Sequence, residues 1–322
     1  MPSASMPIPT WTMTTTIRRV AMPGQPIVPR STNSPAQTTR QLKAARRSIR
    51  ESLRVVRDGV IERIQHDMRM MLGNRSDRYR YLLDQGQLDA INDYIAGLIA
   101  QEVMRGNQGD PIIVQQSVTA YEAATAAAVT NITTQSEQAF RNVEQTLMSE
   151  PYRRRIGYVR SRVFEEMQGF TDQTRTDLAR VLSEGMARGE SPTEIAGRIR
   201  DRVGAAMSRA EKIARTEINT GHRRAIWDQD EQANADGINT RLLHSSALIA
   251  GRTRETHARR HGRVYTRQEV EDWYSRDGNG INCLCTQTSV LVDANGRPLS
   301  SRLPKKMQKR GQSFRAEAYG HA

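Results

Sequence analysis

The sequence is poor in cysteine, in aromatic residues and in long apolar runs. Its two cysteines, Cys283 and Cys285, are too few for a disulfide framework, and a bond between such near neighbours would be strained. No run of roughly 18 apolar residues occurs, so we expect no membrane-spanning helix. The first residues lack the continuous apolar region of a signal peptide. We therefore expect a protein with two reduced thiols that is made in a cytoplasm.

Acidic residues are outnumbered by basic ones. The 322 residues include 48 Lys and Arg against 35 Asp and Glu, which gives a net charge of +13. Such an excess favours a polyanionic partner or an acidic protein surface, although a solvated basic surface has the same composition. Charge alone therefore does not decide between nucleic acid, an acidic protein and water.

Proline is concentrated at the N-terminus, where residues 1–35 hold seven of the twelve. Proline fixes φ and removes a backbone donor, so neither a helix nor a central strand is expected there. We predict an extended arm that is disordered in isolation and that another chain would hold in place. The prolines are Pro2, Pro7, Pro9, Pro23, Pro26, Pro29 and Pro35.

Residues 36–205 have the periodicity of long helices. The first predicted helix, about 37–72, places apolar residues at every third or fourth position and arginines on its other faces. Those arginines, together with lysines of a basic tail at 301–322, are candidate contacts to DNA phosphates. The candidate DNA-binding residues are Arg46, Arg47, Arg50, Arg54, Lys305 and Lys306.

Two stretches resemble capped helix starts. Ser191 and Glu194 flank Pro192 in the order of a full capping box, and Ser208 with Glu211 repeats the pattern. Beyond Asp236 the signals become mixed, with a short strand at 240–243, a short helix at 266–274 and an Asn-Gly hairpin turn within 290–299. The predicted fold is mainly α, with long N-terminal helices, a small C-terminal α+β module at 206–300 and extended termini.

The chemistry-bearing side chains gather in the C-terminal third. His257 and His261 have the four-residue spacing of metal ligands on a helix, and Cys283 with Cys285 would complete a tetrahedral N₂S₂ set for a structural zinc ion. The alternative is a hydrogen-bonded His257 packed near two half-buried thiols. No P-loop, G-x-S-x-G or G-x-G-x-x-G occurs, so no catalytic residue is assigned.

The order of several short motifs over about 170–293 resembles the phage Mu protein F-like family, also called phage head morphogenesis proteins. These motifs are Ala214-Arg215-Thr216-Glu217, Arg254 with His257, and Asn282-Cys283-Leu284-Cys285. Two positions depart from the pattern, because Leu284 stands where Arg is usual and His244 where Trp is common. The resemblance implies that Arg215, Glu217, Arg254, His257 and Asn282 are structural residues.

The resemblance also implies a virion protein rather than an enzyme. We expect a minor head protein assembled in the host cytoplasm, located in the head near the portal vertex and bound to the portal protein. Further expected partners are other head or ejection proteins and, non-specifically, the packaged DNA, with roles in genome packaging or ejection. Two other classes stay open: a DNA-binding or nuclease-like protein with a His/Cys metal site, and a toxin-like effector enzyme that uses Arg215 and Glu217.

Overall fold

The computed structural model describes residues 24–70, 85–105, 109–136, 138–139 and 142–320. Most of these residues are helical, which confirms the predicted fold class. The N-terminal helices are α1 (Thr39–Met70), α2 (Gln85–Ile99, extended by a π-helical turn, Ala100–Met104), α3 (Ile112–Gln135), α4 (Val143–Met148), α5 (Glu150–Arg188) and α6 (Pro192–Ala235).

The helix α6 is the central helix, and both the other long helices and the strands pack against it. Its start has the predicted capping box, in which Ser191 Oγ accepts from Glu194 N at 3.2 Å and Glu194 Oε2 accepts from Ser191 N at 2.6 Å. The second predicted start, at Ser208, is wrong. Its hydroxyl donates to the carbonyl of Gly204 instead, and the helix runs on without a break. At 44 residues, α6 is roughly 65 Å long.

The core of the helical part lies where α1, α3 and α5 pack on α6. The predicted apolar face of α1 is buried, with Ala45, Leu53 and Val60 fully inaccessible. The helices α3 and α6 cross closely at Gly221, where an added Cβ would lie 3.1 Å from the carbonyl oxygen of Ser117. The lack of a side chain at Gly221 of α6 therefore permits the close approach of the two helices.

A three-stranded antiparallel sheet forms the module, in the order β2-β1-β3. Its elements are β1 (Thr240–Ser245), α7 (Glu255–Ala258), β2 (Val264–Tyr265), α8 (Arg267–Ser275) and β3 (Thr286–Leu291). Leu242 is the central register position, paired with Tyr265 on one side and Ser289 on the other. Asn131 of α3 donates to the carbonyl of Ser289 at 2.8 Å, so the sheet is joined directly to the helical part.

The basic tail is not an extension, which corrects that expectation. Residues 302–319 form helix α9 (Arg302–Tyr319), which packs against α7. The sequence did not predict this contact because α9 is rich in charged residues. Its buried residues are Pro304 and Gly311, and its larger apolar side chains, such as Met307 and Phe314, are half-buried. Lys305 and Lys306, on its other side, are exposed.

The described part of the N-terminal arm, residues 24–35, contains no helix and is held by this chain itself. Ile27 N donates to Asn131 Oδ1 at 2.7 Å, and Leu248 N donates to the carbonyl of Thr32 at 3.1 Å. Residues 1–23 lie outside the described residues. An external holder is therefore not needed for the segment from 24 onward.

Replacing Gly262 by alanine is expected to detach α9. Gly262 has φ +77°, and an added Cβ would lie 2.5 Å from Gln308 N and 2.8 Å from the Pro304 carbonyl oxygen. Since both atoms belong to the backbone, the helix must move, at a cost of about 2 kcal/mol or more. Trypsin should then cleave α9 faster and the melting temperature should fall. Gly251→Ala is the control, because its φ is +69° in open space; equal effects of both substitutions would contradict the packing argument.

Candidate functional site

One face of α6 forms hydrogen bonds with the segment that carries the two cysteines. Thr216, Asn219, Arg223 and Trp227 follow each other at helical spacing and therefore share this face. Thr216 Oγ1 accepts from Asn282 N at 2.9 Å, and Asn219 Nδ2 donates to the Cys283 carbonyl at 2.8 Å. Further along, Arg223 Nη1 lies 3.5 Å from the Cys285 carbonyl oxygen and Trp227 Nε1 donates to Gln287 Oε1 at 2.8 Å.

Arg215 and Glu217 point in different directions and serve different contacts. Arg215 Nη1 donates to the side-chain oxygen of Asn282, so this arginine ties α6 to the module. The carboxylate of Glu217 is buried and receives both terminal nitrogens of Arg162, at 2.9 and 3.0 Å. Burial raises the pKa of Glu217, and the positive charge of Arg162 works against that rise. Glu217 therefore joins α6 to α5, not to the module.

Arg254 holds the loop that precedes the cysteines. Its guanidinium donates to the carbonyls of Gly278 at 3.0 Å, Asn279 at 3.1 Å and Ile281 at 3.2 Å. The next residue, Asn282, has φ +57°, a left-handed conformation that asparagine tolerates better than most residues. The Arg254 and Asn282 motif positions thus shape the turn that delivers Cys283 into the interior.

The structure brings His257, Cys283 and Cys285 together in one buried group. Each sulfur lies 3.5 Å from His257 Nδ1, and the three ligand atoms lie within 4.8 Å of one another. His261 lies outside this group, because its Nδ1 accepts a hydrogen bond from Ser246 N at 3.0 Å. His244 Nδ1 is 3.0 Å from Gln287 Nε2. Of the four residues expected to bind metal, three are therefore assembled.

The surroundings of the group favour one thiolate in the absence of metal. A hydrogen bond from Cys285 holds the pKa of Cys283 well below its ordinary value, and His257 and Arg223 act in the same direction. The same bond raises the pKa of Cys285. Trp273 covers His257, with ring centres 4.6 Å apart. The group is thus a closed, polar centre in the interior of the module.

The candidate DNA-binding arginines of α1 are partly engaged within the chain. Arg46 and Arg50 lie 3.0 and 2.6 Å from the same carboxylate oxygen of Glu211 on α6. Arg54 lies 3.8 Å from Glu51, whereas Arg47 is exposed. Less of the charge on this face is therefore available to phosphates than the sequence predicts.

Asn219, Arg223 and Trp227 were not singled out from the sequence, although they contact the cysteine segment directly. Their signal is present in the sequence as polar or amphipathic residues repeating every three to four positions on a predicted helix. That pattern is also typical of a solvated helix face. Without knowledge of what packs on α6, the two cases cannot be separated.

The chain matches one family model over part of its length. Residues 176–288 match the family described as Phage Mu protein F like protein. Searches of curated proteins and of solved structures gave no match. Within the described residues, no helix has both the length and the apolar character needed to cross a membrane. The matched range contains every motif position from Arg215 to Cys285, so the match supports the family that the order of the motifs predicted.

Proposed function

We propose that this phage head morphogenesis protein is a minor head protein that docks on the portal of its phage, near the portal vertex. Its role is assembly, with genome packaging or ejection as the stage at which the docked protein acts. We further propose that it is not an enzyme. The observation that carries the proposal is that α6 belongs to both the helical part and the module. Its motif residues, Arg215 and Glu217, each bind another segment of the chain.

The motif contacts support a framework rather than a reaction centre. Arg215 binds Asn282, Arg254 binds three loop carbonyls, and Glu217 is paired with Arg162. An effector enzyme that used Arg215 and Glu217 would need both side chains in one open cleft, but they leave α6 on different sides. Substitution of either residue should therefore impair folding or assembly, not a chemical step.

The continuity of α6 supports a linking role. It packs against the long helices along much of its length, and its second half also contacts the sheet and the cysteine segment. The helices α5 and α6, with 39 and 44 residues, can separate two attachment points by tens of ångströms. One rigid chain can thus connect a docking point on the portal with a module placed elsewhere in the head.

Residues 1–23 are the proposed portal-binding part of the arm. Residues 24–35 already bind to this chain. We therefore assign portal binding to the preceding segment, which holds Pro2, Pro7, Pro9 and Pro23. A proline-rich segment has few conformations to lose on binding, and extended peptides commonly bind in a groove or at a sheet edge.

The test is co-expression with the portal protein of the same phage, followed by pull-down. We expect removal of residues 1–23 to reduce co-purification at least about tenfold, with an unchanged melting temperature because the packed segment from Gly24 stays in place. A chain whose residues 1–23 are scrambled in order is the matched control for length and composition, and it should fail equally. Equal recovery with and without residues 1–23 would exclude the arm as the anchor. Absence of portal binding in the full chain, with a nuclease or transferase activity instead, would overturn the proposed function.

Contact with packaged DNA is a second proposed role. The net charge of +13 and the exposed Arg47, Lys305 and Lys306 support it. The pairing of Arg46 and Arg50 with Glu211 weakens it, because these guanidinium groups already have a carboxylate partner. We therefore rank portal docking first and treat DNA as a non-specific neighbour in the head.

A further inference from the structure

We propose that His257, Cys283 and Cys285 bind one zinc ion that fastens the cysteine segment to α7. The proposal concerns the fold of the module and does not depend on portal docking. Two thiolates and one imidazole are a donor set that suits Zn²⁺. The histidine and the cysteine pair come from separate places in the chain, so a bound ion would close the loop between residues 257 and 283.

The distances fit a shared metal ion. Zinc binds sulfur at about 2.3 Å and nitrogen at about 2.0–2.1 Å, and a tetrahedral angle between these bonds gives a sulfur–nitrogen separation of about 3.5 Å. Both sulfurs lie at 3.5 Å from His257 Nδ1. Two of the three ligand–ligand distances thus match those of a zinc tetrahedron, and the two sulfurs lie within 4.8 Å of each other.

Hydrogen bonds alone explain the two equal sulfur–nitrogen distances less well than a shared metal ion does. A neutral imidazole nitrogen carries either one in-plane N–H or one in-plane lone pair, so it makes one good hydrogen bond in either tautomer. Here two thiols approach the same nitrogen at the same distance. A cation between the three atoms would bind both sulfurs and the nitrogen at once. A single proton instead forms a hydrogen bond between the nitrogen and only one of the sulfurs.

The ligands are positioned by contacts that do not involve the metal. Asn219 fixes the backbone at Cys283, and Arg254 fixes the preceding loop through three carbonyls. On the other side, Ser246 Oγ donates to the carbonyl of His257. Such support keeps ligands in place before binding, which is what a structural site requires. His261 is not among the ligands, because its Nδ1 accepts the hydrogen bond from Ser246 N.

The first test is the zinc content of the untagged full chain purified with added Zn²⁺. We expect about one zinc per chain, and strong loss of zinc in Cys283→Ser, Cys285→Ser and His257→Gln. The control is His66→Gln, since His66 is exposed on α1, and it should retain the metal. A wild-type chain that is folded but holds no zinc would overturn the proposal, as would unchanged zinc in all three ligand variants.

The second test uses Co²⁺ added to the metal-stripped wild-type chain, so that it does not depend on the folding of any variant. We expect a thiolate-to-cobalt charge-transfer band and visible bands of a tetrahedral site. Removal of zinc by a chelator should lower the melting temperature by about 5 °C or more, and added Zn²⁺ should restore it. Absence of the charge-transfer band would show that the cysteines do not bind metal and that hydrogen bonds hold the group.

Discussion

Replacing Arg162 by alanine is expected to lower the free energy of unfolding by about 3–5 kcal/mol, because it leaves a buried carboxylate without its partner. The side chain of Glu217 is 4% exposed, whereas that of Arg162 is 33% exposed, so the cost of the lost pair falls on the glutamate. Urea unfolding of the wild-type and variant chains measures the difference directly. Glu217 is one of the family motif positions, and this pair joins α5 to α6.

Two further variants separate buried charge from lost packing. Adding Glu217→Gln to Arg162→Ala should recover most of the stability, because a neutral amide tolerates burial better than an unpaired carboxylate. The matched control on α5 is Arg160→Ala, which breaks an exposed pair with Asp110 at 3.4 Å and should cost less than about 1 kcal/mol. If the double variant were as unstable as Arg162→Ala, lost side-chain packing and not the buried charge would explain the effect.

The features that the sequence predicted depend on local interactions. The capping box at Ser191 places donor and acceptor within four residues, so it forms wherever that helix starts. The apolar face of α1 repeats with the helical period and is buried by any partner helix. The family resemblance was recognised from the order of its motifs, and the match to residues 176–288 supports it.

The features that the sequence did not predict depend on tertiary contacts. Ser208 has the local pattern of a helix start, but the residues around it are good helix formers and the packing on both sides keeps α6 continuous. Helix α9 has low hydrophobicity and is held by close backbone contact at Gly262 instead. Likewise, the pairing of Glu217 with Arg162 requires α5 to lie beside α6, which no short pattern encodes.

The grouping of His257 with the two cysteines was predictable from the sequence, but the exclusion of His261 from the group was not. A spacing of four suggests that His257 and His261 share a helix face, whereas α7 ends at Ala258. The chain then turns, and His261 accepts from the backbone of Ser246. The short length of α7 thus decides which histidine faces the thiols.

The free energy of unfolding is expected to fall by about 2 kcal/mol per pH unit as the pH is lowered through 6 towards 5. Burial lowers the pKa of His261 to about 4, with Arg310 adding to the effect, and it holds the pKa of His244 well below its ordinary value. The unfolded chain protonates both histidines near pH 6.5, so it binds more protons than the folded chain below that pH. Stability from these neutral histidines is thus full above about pH 6.5 and is lost on acidification. His222, whose pKa burial lowers to about 3, adds a smaller share because its side chain is partly exposed.

Two buried carboxylates with raised pKa values, Glu217 and Asp230, oppose this trend, and Asp230 supplies a test of the sign. Burial raises the pKa of Asp230 to about 6, above the unfolded value of about 3.9, so the folded chain gains a proton there as the pH falls. Asp230→Asn removes that gain and should steepen the loss of stability, whereas His261→Gln should make it shallower, each by about 1.4 kcal/mol per pH unit. Urea unfolding at pH 7.5, 6 and 5 measures these slopes, with His66→Gln as the exposed control. A wild-type stability that is constant or rises between pH 7.5 and 5 would contradict the prediction. Slopes that change in opposite directions in the two variants would show that the acid sensitivity arises in the module. His244, His261 and the contacts of Asp230 with Thr240 and Ser289 all lie around its sheet.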